Sequence, residues 1–190
     1  VPARVLLQKI PRLVRDIGLE LNKEVSVVLR GEDLPIDKSY IELLDAPLTH
    51  LVRNTLDHGI EIPEDRIAVN KNPIGQLSIN IEQSADDIVV TIFDDGNGLN
   101  FERIKQKGVD NNVISDNTVV NDDNVLEIIC APGFSTAQKI TSVSGRGVGM
   151  DVVRSSVLEA GGSLSVKSEM GKFTRFTISL PKTINTQIIE

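Results

Sequence analysis

The chain of 190 residues has no tryptophan, one tyrosine, five phenylalanines, two histidines and a single cysteine. With aromatics at 3% it lacks the stacking platform that single-stranded nucleic acid requires. Its 20 basic residues are outnumbered by 27 acidic ones, so no broad cationic face exists for a phosphate backbone, and no nucleic-acid partner is expected. One thiol, Cys130, excludes a disulfide framework and a cysteine zinc site. Set within Ile128-Ile129-Cys130-Ala131, it reads as a buried, inert side chain suited to a reducing, cytoplasmic setting. No apolar run approaches the roughly 18 residues that span a bilayer, and no leader pattern opens the chain, so no membrane insertion is expected. The sequence also lacks any Gly-x-x-x-x-Gly-Lys-[Ser/Thr] string, which excludes a P-loop. Opening on Val1 and closing in a mixed segment, it reads as one domain of something larger.

Hydrophobic residues at 40% and charged residues at 25% suit one domain with a real core. Val5, Leu6, Ile10, Leu13, Val14 and Ile17 predict a helix over 4–17. A strand follows at 23–29, then a helix over 40–58 capped by Asp37 or Ser39 and broken at Pro47. A short helix opens at Ile62-Pro63, and strands at 76–81 and 87–93 form a hairpin. After a helix over 101–108, the polar segment 110–146 reads as a mobile insertion over a site. A helix over 148–160 and strands at 163–168 and 173–180 complete the pattern. Helices grouped beside antiparallel strands indicate a two-layer α/β sandwich with a mixed, mainly antiparallel sheet, not a doubly wound parallel one.

Three motifs carry chemistry. His50, Asn54 and His58 recur at four-residue spacing, which stacks them on one face of a largely apolar helix. Such a row is either satisfied by neighbouring backbone or presents the Asn54 carbonyl to Mg²⁺, with Arg53 and the histidines near phosphates. Zinc on His50 and His58 is disfavoured, because no acidic or cysteine ligand completes the set. Second, Asp94-Asp95-Gly96-Asn97-Gly98 ends an apolar strand. It is an acidic turn, or a carboxylate that accepts the adenine amino group while Gly96 and Gly98 let backbone approach the ring. Third, Gly145-Arg146-Gly147-Val148-Gly149-Met150 precedes a helix, where exposed N–H groups and the helix dipole suit a triphosphate. Its last glycine comes one position early for a dinucleotide fingerprint, and no strand precedes it. Between the last two motifs, Ser135 and Thr136 follow Pro132-Gly133-Phe134; their hydroxyls either touch phosphate oxygens or belong to a simple turn.

Together, Arg53-Asn54-Thr55-Leu56-Asp57-His58-Gly59-Ile60-Glu61, the Asp-Asp-Gly-Asn-Gly box, Pro132-Gly133-Phe134-Ser135-Thr136 and Ser144-Gly145-Arg146-Gly147-Val148-Gly149-Met150-Asp151 resemble the ATP-binding catalytic domain of CheA-type chemotaxis histidine kinases. The resemblance runs from about Pro11 to Leu180. It implies a Bergerat-type sandwich shared with gyrase, Hsp90 and MutL proteins, occupying 1–181 with an ATP lid at about 108–145 and a connector at 182–190. It further implies ATP and Mg²⁺, with Asn54 on the metal, Asp57 within its box, and His50, Arg53 and His58 lining the phosphate end. Asp94, Gly96 and Gly98 would hold adenine, and Arg103 and Lys107 match positions that contact phosphates. Gly145, Arg146, Gly147, Val148, Gly149 and Met150 would form the phosphate turn.

Where hydrolysing relatives carry a glutamate four residues before the asparagine, this chain has His50, which favours transfer to a protein acceptor over water. The implied partners are a histidine phosphotransfer domain and, through domains outside this chain, a coupling protein, chemoreceptors and response regulators. The parent kinase is expected to be a homodimer at receptor arrays, and this domain alone a monomer. The last family box reads Gly171-Lys172-Phe173-Thr174 here, with Phe173 where a glycine is usual, which puts the nucleotide contact of Thr174 in question.

Overall fold

The structure, a computed structural model, describes residues 1–135 and 149–182. Its elements are α1 (Arg4–Leu7), α2 (Ile10–Leu21), β1 (Val25–Arg30), α3 (Lys38–Asn54), a π turn (Thr55–Gly59), α4 (Pro63–Ala68), β2 (Gly75–Gln83), β3 (Asp87–Asp94), α5 (Phe101–Asp110), α6 (Val125–Cys130), α7 (Met150–Glu159), β4 (Ser163–Glu169) and β5 (Phe173–Pro181). The five strands form one sheet in the order β1-β2-β3-β5-β4. Only β1 and β2 run parallel, and the other pairs are antiparallel. The mixed α/β sandwich expected from the sequence is what forms.

Strand alternation decides which face is covered. Leu77, Ile79 and Ile81 of β2, Ile88, Val90 and Ile92 of β3, and Phe176, Ile178 and Leu180 of β5 are all buried. Against them pack Val14 and Ile17 of α2, Leu44, Leu48 and Leu51 of α3, and Val153 and Val157 of α7. The Tyr40 hydroxyl of α3 donates to the Pro181 carbonyl at 2.6 Å and ties the helical layer to the end of β5.

Four local expectations are corrected. The first helix is two helices, because Pro11 near the start of α2 removes an N–H that would have continued the ladder. Asp37 caps α3, accepting the Ser39 N–H at 2.9 Å, and α3 then runs unbroken through Pro47. An internal proline costs about 3 kcal/mol, whereas burying each leucine returns about 1.5–3 kcal/mol. With Leu44, Leu48 and Leu51 all buried, packing wins over the local preference. The helix ends four residues earlier than expected, and the π turn takes over, closed by the Ile60 N–H on the Thr55 carbonyl at 2.8 Å. Finally, the described part of the segment after 110 holds a helix of its own: α6 buries Val125, Leu126 and Ile128, and Phe134 is buried as well.

Candidate functional site

On β3 the inward-facing row reads Ile88, Val90, Ile92, Asp94, so a carboxylate occupies the fourth slot of an apolar row. Asp94 is 2% exposed. Burial pushes its pKa up from 3.8 to about 7, against the Gly96 N–H and Thr55 hydroxyl that favour the charged form. The Gly96 N–H donates to Oδ1 at 2.9 Å, and the Thr55 Oγ1 lies 3.5 Å from Oδ2. Thr174, its partner across the strands, is also buried, with its hydroxyl 3.3 Å from the Ser168 Oγ.

Glycine is required in the loop that follows. A Cβ on Gly96 would stand 2.3 Å from the Gly59 carbonyl oxygen. Gly98 has φ of +70°, and a Cβ there would stand 2.3 Å from the Glu169 carbonyl oxygen. The loop is therefore held directly against the π turn and the β4–β5 turn, and the Asn97 N–H donates to the Gly59 carbonyl at 2.8 Å.

A buried ion network that sequence reasoning missed supports this loop from behind. Arg66 of α4 is 1% exposed. It donates to Glu61 Oε1 at 3.0 Å, to Asp95 Oδ2 at 3.1 Å and to the Asn72 carbonyl at 2.6 Å. Lys71 donates to Glu61 Oε2 at 2.7 Å and to the carbonyls of Asp95 and Gly96 at 3.1 and 2.9 Å. Burial alone would raise the Glu61 pKa; the bond from Lys71, with the charges of Lys71 and Arg66, instead holds it below the usual value. Elsewhere, Lys23 donates to the carbonyls of Leu56 and Asp57 at 2.5 and 3.2 Å, satisfying the groups a π turn leaves open.

The polar row on α3 is realised in part. The Asn54 amide donates to His50 Nε2 at 3.2 Å, one helical turn away. Burial, then the Arg53 charge, lowers the His50 pKa, with Asp151 of α7 opposing. A neutral His50 accepting through Nε2 engages the Asn54 amide nitrogen and not its Oδ1. His58 does not continue the row. The π turn widens the helix between them, and the His58 side chain is 74% exposed, 3.8 Å from Asp57.

His58, Asn97, Gly98, Arg103, Lys107 and Phe134 line one open cavity of about 950 Å³. That is within the range of small-ligand sites. Lys107 lies 4.8 Å from the centre of the Phe134 ring. Asn54, Asp57, Asp94 and Thr174 do not line it. Gly149 caps α7, Met150 begins it, and Ser135 is exposed. Thr136, Gly145, Arg146, Gly147 and Val148 lie outside the described residues, as do most of the 182–190 connector and part of the expected lid.

Phe173 is resolved differently from expectation. Alternation turns it to the sheet's outer face, where its ring stacks on Phe93 at 5.8 Å with Arg175 5.5 Å away. Thr174 pairs with Asp94 across β3 and β5, one residue along from Phe173. Cys130 is half-buried, and burial pushes its thiol up to about 11, in keeping with an inert side chain. Among the described residues no group of three His, Cys, Asp or Glu side chains can hold a metal, and no helix is long and apolar enough to cross a membrane.

The family described as histidine kinase-, DNA gyrase B-, and HSP90-like ATPase matches residues 44–184. The chain belongs to this family. ATP is therefore the nucleotide of this fold. Within the ATPase family, chemotaxis protein CheA of Salmonella typhimurium is 46% identical over 184 residues, covering 97% of this chain and 27% of that protein. CheA of Rhizobium meliloti is 42% identical over 183 residues, covering 96% and 24%. Sensor histidine kinase CheAY of Helicobacter pylori is 38% identical over 185 residues, covering 96% and 23%. The chain thus spans about a quarter of the length of these curated relatives. These likenesses bear out the resemblance read from the Arg53–Glu61 and Ser144–Asp151 strings. The nucleotide-free catalytic domain of histidine kinase ThkA has the same fold, with a TM-score of 0.59 at 18% identity over 96% of this chain and 94% of that one.

Proposed function

We propose that this chain is the catalytic domain of a CheA-like chemotaxis kinase, which binds Mg-ATP and passes the γ-phosphate to a histidine on a separate phosphotransfer domain. The observation that carries this reading is Asp94, a buried carboxylate at the end of an apolar row and held by Gly96 and Thr55. Its remaining acceptor capacity suits the adenine amino group, and its high pKa falls when that donor arrives. At the other end, Arg103 and Lys107 of α5 with His58 supply donors and positive charge where a triphosphate would extend. Gly149 and the glycines before it would receive the phosphates at the start of α7.

The donor set fits magnesium. Asn54 Oδ1, not engaged by the bond to His50, would be the oxygen ligand, and magnesium takes few protein ligands, with water and phosphate filling the rest. When bound, the ion would neutralise charge on the phosphates. Arg53, Arg103 and Lys107 would orient the phosphate chain, and no residue forms a covalent intermediate. His50 supports transfer over hydrolysis, because its Nε2 already accepts from Asn54 and is not available to take a proton from water. Histidine phosphotransfer domain, coupling protein, chemoreceptors, response regulators and a dimeric parent kinase at receptor arrays follow from the CheA relatives as proposals. A lid over the cavity within 108–145 belongs to the same reading.

The test is phosphotransfer from labelled Mg-ATP to a histidine phosphotransfer domain from the same kinase. Rapid labelling of the acceptor with slow ATP turnover in its absence is expected, and Asn54→Asp should abolish labelling. Brisk hydrolysis without an acceptor would sink the assignment.

A further inference from the structure

Lys71 does not line the cavity, yet it holds the carbonyl end of the peptide whose N–H touches Asp94. Its Nζ donates to the Asp95 carbonyl at 3.1 Å, while the N–H of that same peptide, from Gly96, donates to Asp94 Oδ1 at 2.9 Å. A second bond to the Gly96 carbonyl at 2.9 Å fixes the following peptide. Lys71 is fixed in turn by Glu61 at 2.7 Å and by its own N–H, which donates to the Arg66 carbonyl at 2.8 Å. Gly96 has little freedom of its own, because Gly59 backbone lies directly against it. The direction of the Gly96 N–H decides which lone pair of Asp94 is occupied and which stays available.

We propose that Lys71 is a positioning residue for Asp94 and sets the preference of the pocket for a purine with a 6-amino group. The inference rests on the reading of Asp94 as the adenine acceptor. The network contains two cations, Arg66 and Lys71, and two carboxylates, Glu61 and Asp95, so its contribution is orientation more than net field. Arg66 is fully buried and supports the fold itself. The Lys71 side chain is 18% exposed, so it can be changed with less damage.

Binding of ADP and of inosine diphosphate, which carries a carbonyl in place of the amino group, is measured by calorimetry on the chain and its variants. Lys71→Met keeps the aliphatic stem and removes the donors. It should weaken ADP about tenfold and inosine diphosphate less than twofold, and Lys71→Arg should recover ADP binding to within about threefold. Equal weakening of both nucleotides, or no change in either, overturns the proposal, because a structural role alone does not change base preference. Asp94→Asn is the control on the underlying reading. If it leaves ADP affinity intact, the adenine assignment fails; if it removes ADP preference while Lys71→Met does not, only the positioning role fails. Should Lys71→Met not fold, Glu61→Gln loosens the hold on Lys71. It should lower the ADP preference severalfold, and an unchanged preference counts against the proposal.

Discussion

The two ends of the site are built on opposite plans. At the Asp94 end, both cations are buried or half-buried and bonded to backbone carbonyls as well as to carboxylates: Arg66 reaches three carboxylate or carbonyl groups besides Asn72, and Lys71 reaches three acceptors. At the Arg103 end, the cations stand on one face of α5 around an open cavity, and His58 is mostly exposed. The difference teaches which end is shaped before ligand arrives. Under the proposed reading, a rigid, desolvated carboxylate would select a base, because errors of a fraction of an ångström cost hydrogen bonds. The exposed charges at the other end are screened by salt and act without strict direction, so under the proposed reading they would tolerate movement of a flexible phosphate chain.

The contrast predicts unequal responses to mutation. The largest effect is expected for Arg66→Met, which leaves Glu61 and Asp95 short of a partner. It should lower stability by about 3–5 kcal/mol in urea titrations, with nucleotide binding lost as a consequence. Next comes Asp94→Asn, which should weaken ADP about 100-fold by removing a charge-assisted acceptor, without lowering the melting temperature. A parallel loss of stability would mean that the base end is merely structural.

At the cationic end, Arg103→Ala with Lys107→Ala should weaken ATP about 30-fold, adenosine hardly at all, and flatten the salt dependence of ATP binding. An equal loss for adenosine would erase the distinction between the two ends. The pH response sharpens it further. The Asp94 pKa is raised in the fold, so its contribution to stability is fully present below the unfolded value near 3.8 and is lost as pH rises through about 7. Binding runs the other way: an amino donor requires the carboxylate, so ADP preference over inosine diphosphate should grow about tenfold from pH 6 to pH 8. The smallest effect belongs to the outer face of the sheet. Phe173→Gly should cost about 1–2 kcal/mol of stability through the lost Phe93 stack and leave nucleotide affinity within about twofold.

Much of this was legible in the chain itself. The hairpin of β2 and β3, the short helix opened by Pro63, the helix after the glycine box and the final two strands all follow from alternation, helical spacing and turn residues. The site was legible as motifs, since Asn54, Asp94 and the glycines at 96 and 98 sit at boundaries where the pattern changes. The row Ile88, Val90, Ile92, Asp94 also held a signal for the burial of the carboxylate, because a charged residue continuing an inward register has to be desolvated. Less legible were the departures. Local proline chemistry argued for a break at Pro47, and only the leucines packed on the sheet outweighed it. Helical spacing aligned His58 with Asn54, and a single wide turn separated them.

The sequence by itself determined the strands with their in–out alternation, the order of the nucleotide boxes and the likeness to CheA-type kinases, because each is written in neighbours a few residues apart. Tertiary structure alone decided which charges meet. Arg66 finds Asp95 across 29 positions, Lys71 finds Gly96 across 25, and Lys23 finds Leu56 across 33. With 20 basic and 27 acidic residues in the chain, composition offers many pairings of equal standing. Only packing of the sheet against α4 and the π turn removes water from one set of them and so makes those few pairs matter.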